Sequence, residues 1–263
     1  MQVFDFTPGD APLLVSVPHA GTGLPPAVAD ALRPDGQRLQ DTDWFVDRLM
    51  DFAAGLGASV LVARLSRAVV DLNRPPDDAA LYPGQAGTGL VPETFFDGTP
   101  LWSTPVSAEA RQDRLDRYWR PYHAQLAAEL DRLRRAHGRV VLWDAHSIPA
   151  RVPRLFDGRL PELNLGTFSG GSCAPGLQAR LEDALEASGR RWVANGRFKG
   201  GYITRHYGAP SRGVHAVQME QAQASYMVEA AEGGPAWSPA RAAAIQPTLR
   251  SLLETAIDWA RHG

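Results

Sequence analysis

The chain has 263 residues, 44% hydrophobic and 21% charged, with a net charge of −2. That length suits one large α/β domain or two small ones, and the near-neutral charge argues against nucleic acid or an anionic membrane as a partner. The single cysteine, Cys173, excludes an internal disulfide framework and fits a reducing, cytoplasmic compartment; the N-terminus lacks a signal-peptide pattern, and no apolar run reaches the about 20 residues that span a bilayer.

In chain order, residues 13–17 are a short apolar run stopped by Pro18, which reads as a strand, followed by the flexible turn His19-Ala20-Gly21-Thr22-Gly23. Asp41, Thr42 and Asp43 precede an apolar pattern of helical spacing over 44–52. A helix is expected there, with Asp43 in its first turn, where the dipole favours an anion. Residues 59–65 and 68–72, rich in Val and Leu, read as two strands. A Pro/Gly-rich stretch without periodicity follows, a loop insertion over about 73–106. Loops of this length are usually functional or disordered, and Phe95, Phe96 and Trp102 argue for an ordered one, a candidate lid.

Ser107 caps an amphipathic helix reaching about 136, kinked or split at Pro121. The run 139–143 then reads as a buried parallel strand that ends in Asp144 and His146, with Pro149 stopping any continuation. A second loop insertion spans about 147–174. Pro175 starts a helix to 187, 191–194 is a strand, 200–208 a strand and turn, and 214–219 a last strand ending in Glu220. Ser238 and Pro239 take the N-cap and N1 positions of a C-terminal helix to about 260, whose apolar stripe (Ile245, Leu249, Leu252, Leu253, Ile257) is core. Strands alternate with helices throughout. The fold class is therefore α/β, a mostly parallel mixed sheet flanked by helices, in a single domain over 1–263. The string Ala-Gly-Thr-Gly-Leu occurs at Ala20 and again at Ala86, but the flanking patterns differ and no repeat is inferred.

Four polar groups fall at expected strand ends or helix starts: His19, Asp43, His146 and Glu220. In an open α/β sheet, ligands bind at the carboxyl ends of strands. Two His and one carboxylate form the ligand set of hydrolytic zinc sites, with the fourth position left to water. A further carboxylate serves as general base. The spacing is long and makes no compact motif. Each His equally well satisfies loop backbone, Asp43 is equally a helix-start anion, and Glu220 a solvated strand end. A second set holds Arg67, Asn73, Arg74, Arg205 and Arg212; several guanidinium groups in one pocket would suit a substrate with two carboxylates. Ion pairs such as Arg67 or Arg74 with Asp71 are the alternative. There is no G-x-S-x-G elbow, Walker A loop or G-x-G-x-x-G. Cys173 reads as a small buried hydrophobe rather than a nucleophile. Among the remaining histidines, only His206 stands beside a plausible site loop.

Five segments together resemble the N-formylglutamate amidohydrolases, in that family's order: Val17-Pro18-His19-Ala20-Gly21, Asp41-Thr42-Asp43-Trp44, Ser66-Arg67 through Arg74-Pro75, Trp143-Asp144-Ala145-His146-Ser147, and Lys199-Gly200-Gly201 through Arg205. The Arg-x-Val-x-Asp-x-Asn-Arg string from Arg67 to Arg74 is the most specific piece. The resemblance implies a zinc-dependent exopeptidase-like (phosphorylase/hydrolase-like) fold. It implies hydrolysis of N-formyl-L-glutamate to formate and L-glutamate, a step of histidine degradation. It also implies His19, Asp43 and His146 as ligands of a divalent metal, zinc first, and Glu220 as base. Asp41, two residues away, competes with Asp43. On this reading Arg67, Asn73 and Arg74 hold the substrate carboxylates, Arg205 or His206 supports the oxyanion, and Asp144 orients a ligand histidine. Two alternatives stand beside it: a zinc amidase for another N-acyl amino acid or cell-wall peptide, and a non-catalytic dicarboxylate-binding protein. Oligomeric state has no signature in the sequence.

Overall fold

The structure is a computed structural model that describes residues 1–81, 87–231 and 234–263. Residues 82–86 of the expected 73–106 loop, and with them the start of the second Ala-Gly-Thr-Gly-Leu string, lie outside the described residues. The strands are β1 (Phe4–Thr7), β2 (Leu13–Val17), β3 (Ser59–Ala63), β4 (Val140–Ile148), β5 (Leu163–Gly166), β6 (Trp192–Ala194), β7 (Val214–Ala222), β8 (Met227–Ala231) and β9 (Gly234–Trp237). The helices are α1 (Pro26–Ala31), α2 (Val46–Leu49), α3 (Ala108–Arg114), α4 (Arg120–His137), α5 (Pro175–Ala187), α6 (Tyr202–Tyr207) and α7 (Pro239–His262). Among the described residues a seven-stranded sheet has the order β1-β3-β2-β4-β7-β5-β6, and β8 and β9 pair separately. The pairs β2–β3, β2–β4, β4–β7 and β5–β6 are parallel, while β1 and β5 run antiparallel to β3 and β7. The expected α/β class with a mostly parallel mixed sheet is borne out. No helix among the described residues is long and apolar enough to cross a membrane.

Side-chain alternation along the strands builds two cores and one polar row. Val141, Trp143 and Ala145 of β4 join Leu13, Val15 and Val17 of β2 and Val217 and Met219 of β7 in a core with Leu181 of α5 and Leu249 and Leu253 of α7. The opposite face carries Leu14, Val140, Leu142 and Ala216 against Tyr122, Leu126, Leu130 and Leu133 of α4. Toward the carboxyl ends of the strands this second face turns polar. Ser16 pairs in register with Asp144, Asp144 with Gln218, and His146 with Glu220. All five are buried, so a polar layer interrupts the apolar one where α/β sheets bind ligands.

Several local expectations need correction. β4 does not stop before Asp144 but runs to Ile148, so Asp144 and His146 lie inside the strand. Glu220 likewise lies inside β7, not at its end. The 44–52 helix is only the short α2 followed by a 3-10 turn at Asp51–Leu56, and α2 starts after Phe45 in a left-handed conformation (φ 61°). Asp43 precedes it, outside any helical turn, because its carboxylate accepts the Ser147 N–H of β4 at 3.1 Å. Residues 68–72 are a turn, not a strand. The Val69 N–H bonds Ser66 O at 2.9 Å, and Val69, Val70 and Leu72 are apolar because they are buried, not because they pair. Residues 200–208 hold the helix α6, not a strand. β5 lies within the expected 147–174 loop, and β1, β8 and β9 carried no signal that was read. The helix after Ser107 does form, with Ser107 Oγ accepting the Ala110 N–H at 3.2 Å. Ahead of Pro121 it passes through a π turn, Leu115–Trp119, rather than breaking. The starts of α5 and α7 at Pro175 and Ser238-Pro239 are as expected.

Candidate active site

His19 follows β2, Asp43 precedes α2, and His146 lies in β4; one donor atom from each falls within 4.8 Å of the others. Asp43 Oδ2 is 3.0 Å from His146 Nδ1 and 3.8 Å from His19 Nδ1. The two imidazole centroids are 4.9 Å apart. Donors sharing one zinc ion stand at most about 4.2 Å apart, twice a bond of roughly 2.1 Å. Side-chain shifts below about 1 Å would close the group around a small cation.

The remaining polar atoms fit that reading. His19 Nε2 is 2.8 Å from Asp71 Oδ1, and His146 Nε2 is 3.0 Å from Asp144 Oδ2. Asp71 thus accepts the Nε2–H of His19, while His146 Nε2 sits between Asp144 and Asn73 Nδ2, the latter at 2.9 Å, and His146 Nδ1 lies toward Asp43. Carboxylates behind ligand histidines fix tautomer and ring orientation in metal sites. His19 Nδ1 is buried and has no hydrogen-bond partner among the described residues, an arrangement that is costly unless something else binds it. Burial and Arg67 lower the pKa of His19, favouring the neutral ring that a metal needs. Burial works against a charge on His146, but Asp144 and Asp43 outweigh it and hold its pKa well above the usual range. Carboxylates that hold a proton this firmly would also hold a cation.

Asp144 is held in place by Asn73 Nδ2 at 3.3 Å and by Ser16 Oγ and Thr204 Oγ1 at 3.4 Å. Asn73 Oδ1 accepts the Ile203 N–H at 2.8 Å and its Nδ2 lies 2.9 Å from His146 Nε2, so the Asn73 amide locks α6, Asp144 and His146 together. A side chain at Gly201 would collide with that amide, which explains the glycine. Arg67 Nη2 donates to Asp71 Oδ2 at 2.6 Å, and its Nη1 lies 3.7 Å from Asp43 Oδ1. Burial opposes ionisation of Asp71, yet Arg67, His19 and Arg74 overcome it and keep the carboxyl well below the usual range.

The His19, Asp43 and His146 group opens onto a cavity that Arg67, Asn73, Arg74, Phe96, Arg197 and Glu220 also line. Burial pushes the Glu220 carboxyl up to about 8, and Gln218 Nε2 donates to its Oε2 at 3.3 Å. The structure therefore brings together His19, Asp43, His146, Glu220, Arg67, Asn73 and Arg74. It does not bring Arg205 or His206 to this cavity. The Arg205 guanidinium donates to Gly200 O and Leu81 O and stacks over Phe168, and His206 stacks on Tyr202. Because 200–208 is a helix, these side chains leave in other directions than a strand would give them. Asp41 is also elsewhere: it accepts the Phe96 N–H at 2.7 Å, and burial pushes it up to about 7. Asp71 and Arg197 are the residues that sequence reasoning missed. Asp71 stood in the most specific motif but was read only as a partner for arginine. Arg197 precedes the Lys199-Gly200-Gly201 segment and had no pattern of its own.

Residues 11–227 match the family model for N-formylglutamate amidohydrolase. An N-formylglutamate deformylase of Pseudomonas aeruginosa is 52% identical, over 99% of this chain and 98% of that protein. A Pseudomonas putida protein of the same name is 50% identical, over 98% and 97%. A crystal structure of N-formylglutamate amidohydrolase from Ralstonia eutropha superposes with a TM-score of 0.85 at 27% identity, each chain fully covered. A gene product of Agrobacterium tumefaciens shares the fold, with a TM-score of 0.72 at 20% identity over 98% and 96% of the two chains. Matched along nearly its whole length, the chain belongs to the N-formylglutamate amidohydrolase family.

Proposed function

We propose that this protein hydrolyses N-formyl-L-glutamate to formate and L-glutamate, with His19, Asp43 and His146 holding a divalent metal, zinc first, and Glu220 acting as base. The observation that carries this reading is the convergence of two histidines and a carboxylate, each imidazole backed by its own aspartate, beside a cavity lined by arginines. When bound, the ion would polarise the formyl carbonyl and acidify water.

The chain's own residues supply the rest. Glu220 takes a proton as water attacks the formyl carbon and returns it to the leaving nitrogen, since an amine anion cannot leave. Its raised proton affinity suits a group that must both accept and give up a proton near neutral pH. Asp71 at His19 Nε2, and Asp144 together with Asn73 at His146 Nε2, hold the two rings so that both Nδ1 atoms are available. Arg67, the guanidinium nearest the ligand group, faces the developing oxyanion. Arg74 and Arg197 take the substrate carboxylates. Asn73 positions His146 directly, through its Nε2, and through Asp144. The roles drawn for Arg205 and His206 from the resemblance are not retained, since neither lines the cavity.

The test is a formate-release assay on purified protein with N-formyl-L-glutamate, other N-acyl amino acids and a chelator. Formate and glutamate in equal amounts, lost with the chelator and restored by zinc, are expected. Faster turnover of another N-acyl amino acid would favour the broader amidase. Tight glutamate binding with no turnover of any substrate would favour the non-catalytic alternative.

A further inference from the structure

Three buried side chains of one helical rod hold the carbonyls of the segment that carries Asp71, Asn73 and Arg74. Arg114 Nη1 donates to Val69 O at 3.2 Å, Trp119 Nε1 to Arg74 O at 3.0 Å, and His123 Nε2 to Leu72 O at 2.9 Å. His123 Nδ1 accepts from Tyr207 OH at 2.9 Å, which leaves Nε2 as the donor. The Trp119 and His123 rings stack at 3.7 Å, so each braces the other.

This alignment needs an irregular helix. On an unbroken α-helix, residues 114 and 119 would point roughly 140° apart around the axis, at 3.6 residues per turn. Positions 119 and 123 are i and i+4 and share a face without help. The π turn Leu115–Trp119 reduces the mismatch. The Arg120 N–H bonds Leu115 O, five residues back, which widens the turn to roughly 4.4 residues and brings 114 and 119 to about 50° apart. Arg114 and Trp119 then face the same loop, and the side chains on its far side meet the metal group and the cavity.

We propose that this π turn is a clamp that sets the backbone of residues 69–74, and that Trp119 is a positioning residue for substrate binding through Arg74. The proposal rests on the function proposed above, in which Arg74 meets a substrate carboxylate. Trp119 touches none of the three proposed metal ligands; its ring packs on His123 and Tyr202, and its N–H reaches the segment through the Arg74 carbonyl.

Trp119→Phe removes the N–H and keeps an aromatic ring on His123. It should raise KM for N-formyl-L-glutamate, and Kd for L-glutamate, at least five-fold, with kcat changing less than two-fold and zinc content unchanged. An unchanged KM and an unchanged glutamate Kd in Trp119→Phe would overturn the proposal, even if thermal stability fell, because the tryptophan would then be structural only. If the wild-type protein releases no formate, the functional reading fails instead, and that result is separate from the comparison of variants.

Discussion

Asp71 is where one substitution should disturb two functions, and its size can be worked from the contacts. Its carboxylate lies 2.8 Å from His19 Nε2, accepts from Arg67 Nη2 at 2.6 Å, and takes the Asn73 N–H at 2.9 Å. It is fully buried, so water cannot replace a lost partner. Asp71→Asn keeps the volume but offers one acceptor oxygen where two served. Its NH2 must then face a donor, either His19 or Arg67. If His19 loses its acceptor, the imidazole is no longer held in the tautomer that presents Nδ1. Losing such an outer partner typically weakens metal binding ten- to a hundred-fold, about 1.4–2.7 kcal/mol at roughly 1.4 per decade. If Arg67 loses it, a buried guanidinium keeps only the longer contact to Asp43 at 3.7 Å. Breaking one partner of a buried ion pair costs about 3–5 kcal/mol of folding stability. Chelator competition gives the zinc Kd, and urea unfolding of the metal-free protein gives the stability. A variant matching wild type in both would refute the reading of Asp71 as the support of His19 and Arg67.

Glu220→Gln should keep its zinc and lose at least about 100-fold in kcat, the usual size of a general-base effect; retained turnover with full zinc would remove Glu220 from that role. Burial pushes the Cys173 thiol up to about 12, so a disulfide reagent at pH 8 should modify it only after unfolding, and rapid labelling of the native protein would contradict its packing. Burial, helped by Arg139, lowers His215 to about 4, and its Nδ1 accepts the Ala174 N–H at 3.1 Å. The unfolded chain takes up that proton near 6.5, so the His215 contribution is complete above about pH 6.5 and is lost as pH falls toward 4. His215→Gln should make the acid side of a plot of urea midpoint against pH shallower; an unchanged slope would exclude His215 from it.

The cores were legible because their periodicity is local. The α7 stripe, the N-caps at Ser107 and Ser238, and the runs of β2 and β4 each carry their signal within a few residues. What was not legible depended on distant partners. Residues 68–72 look like a strand because Val69, Val70 and Leu72 are apolar, but Ser66 and Leu90 take their backbone bonds, and nothing in the run announces that. Tyr202, Ile203 and Thr204 favour a strand by composition, yet the Asn73 amide, far away in sequence, caps them into α6. With α6 in place of a strand, neither Arg205 nor His206 is among the cavity-lining residues. The convergence of His19, Asp43 and His146 was reached through strand ends and family resemblance together, since either imidazole alone reads equally well as a loop residue. Asp71 behind His19 was hidden by the visible i, i+4 pair with Arg67, which is also present. A side chain with two partners shows only the nearer one in sequence.

Crystals grown with zinc and L-glutamate, measured at the zinc absorption edge, test the central claim most directly. One anomalous peak should lie about 2.0–2.2 Å from His19 Nδ1, His146 Nδ1 and an Asp43 oxygen, with Glu220 facing it across the cavity. A fully occupied zinc elsewhere, or none at these three atoms despite turnover, would contradict the account.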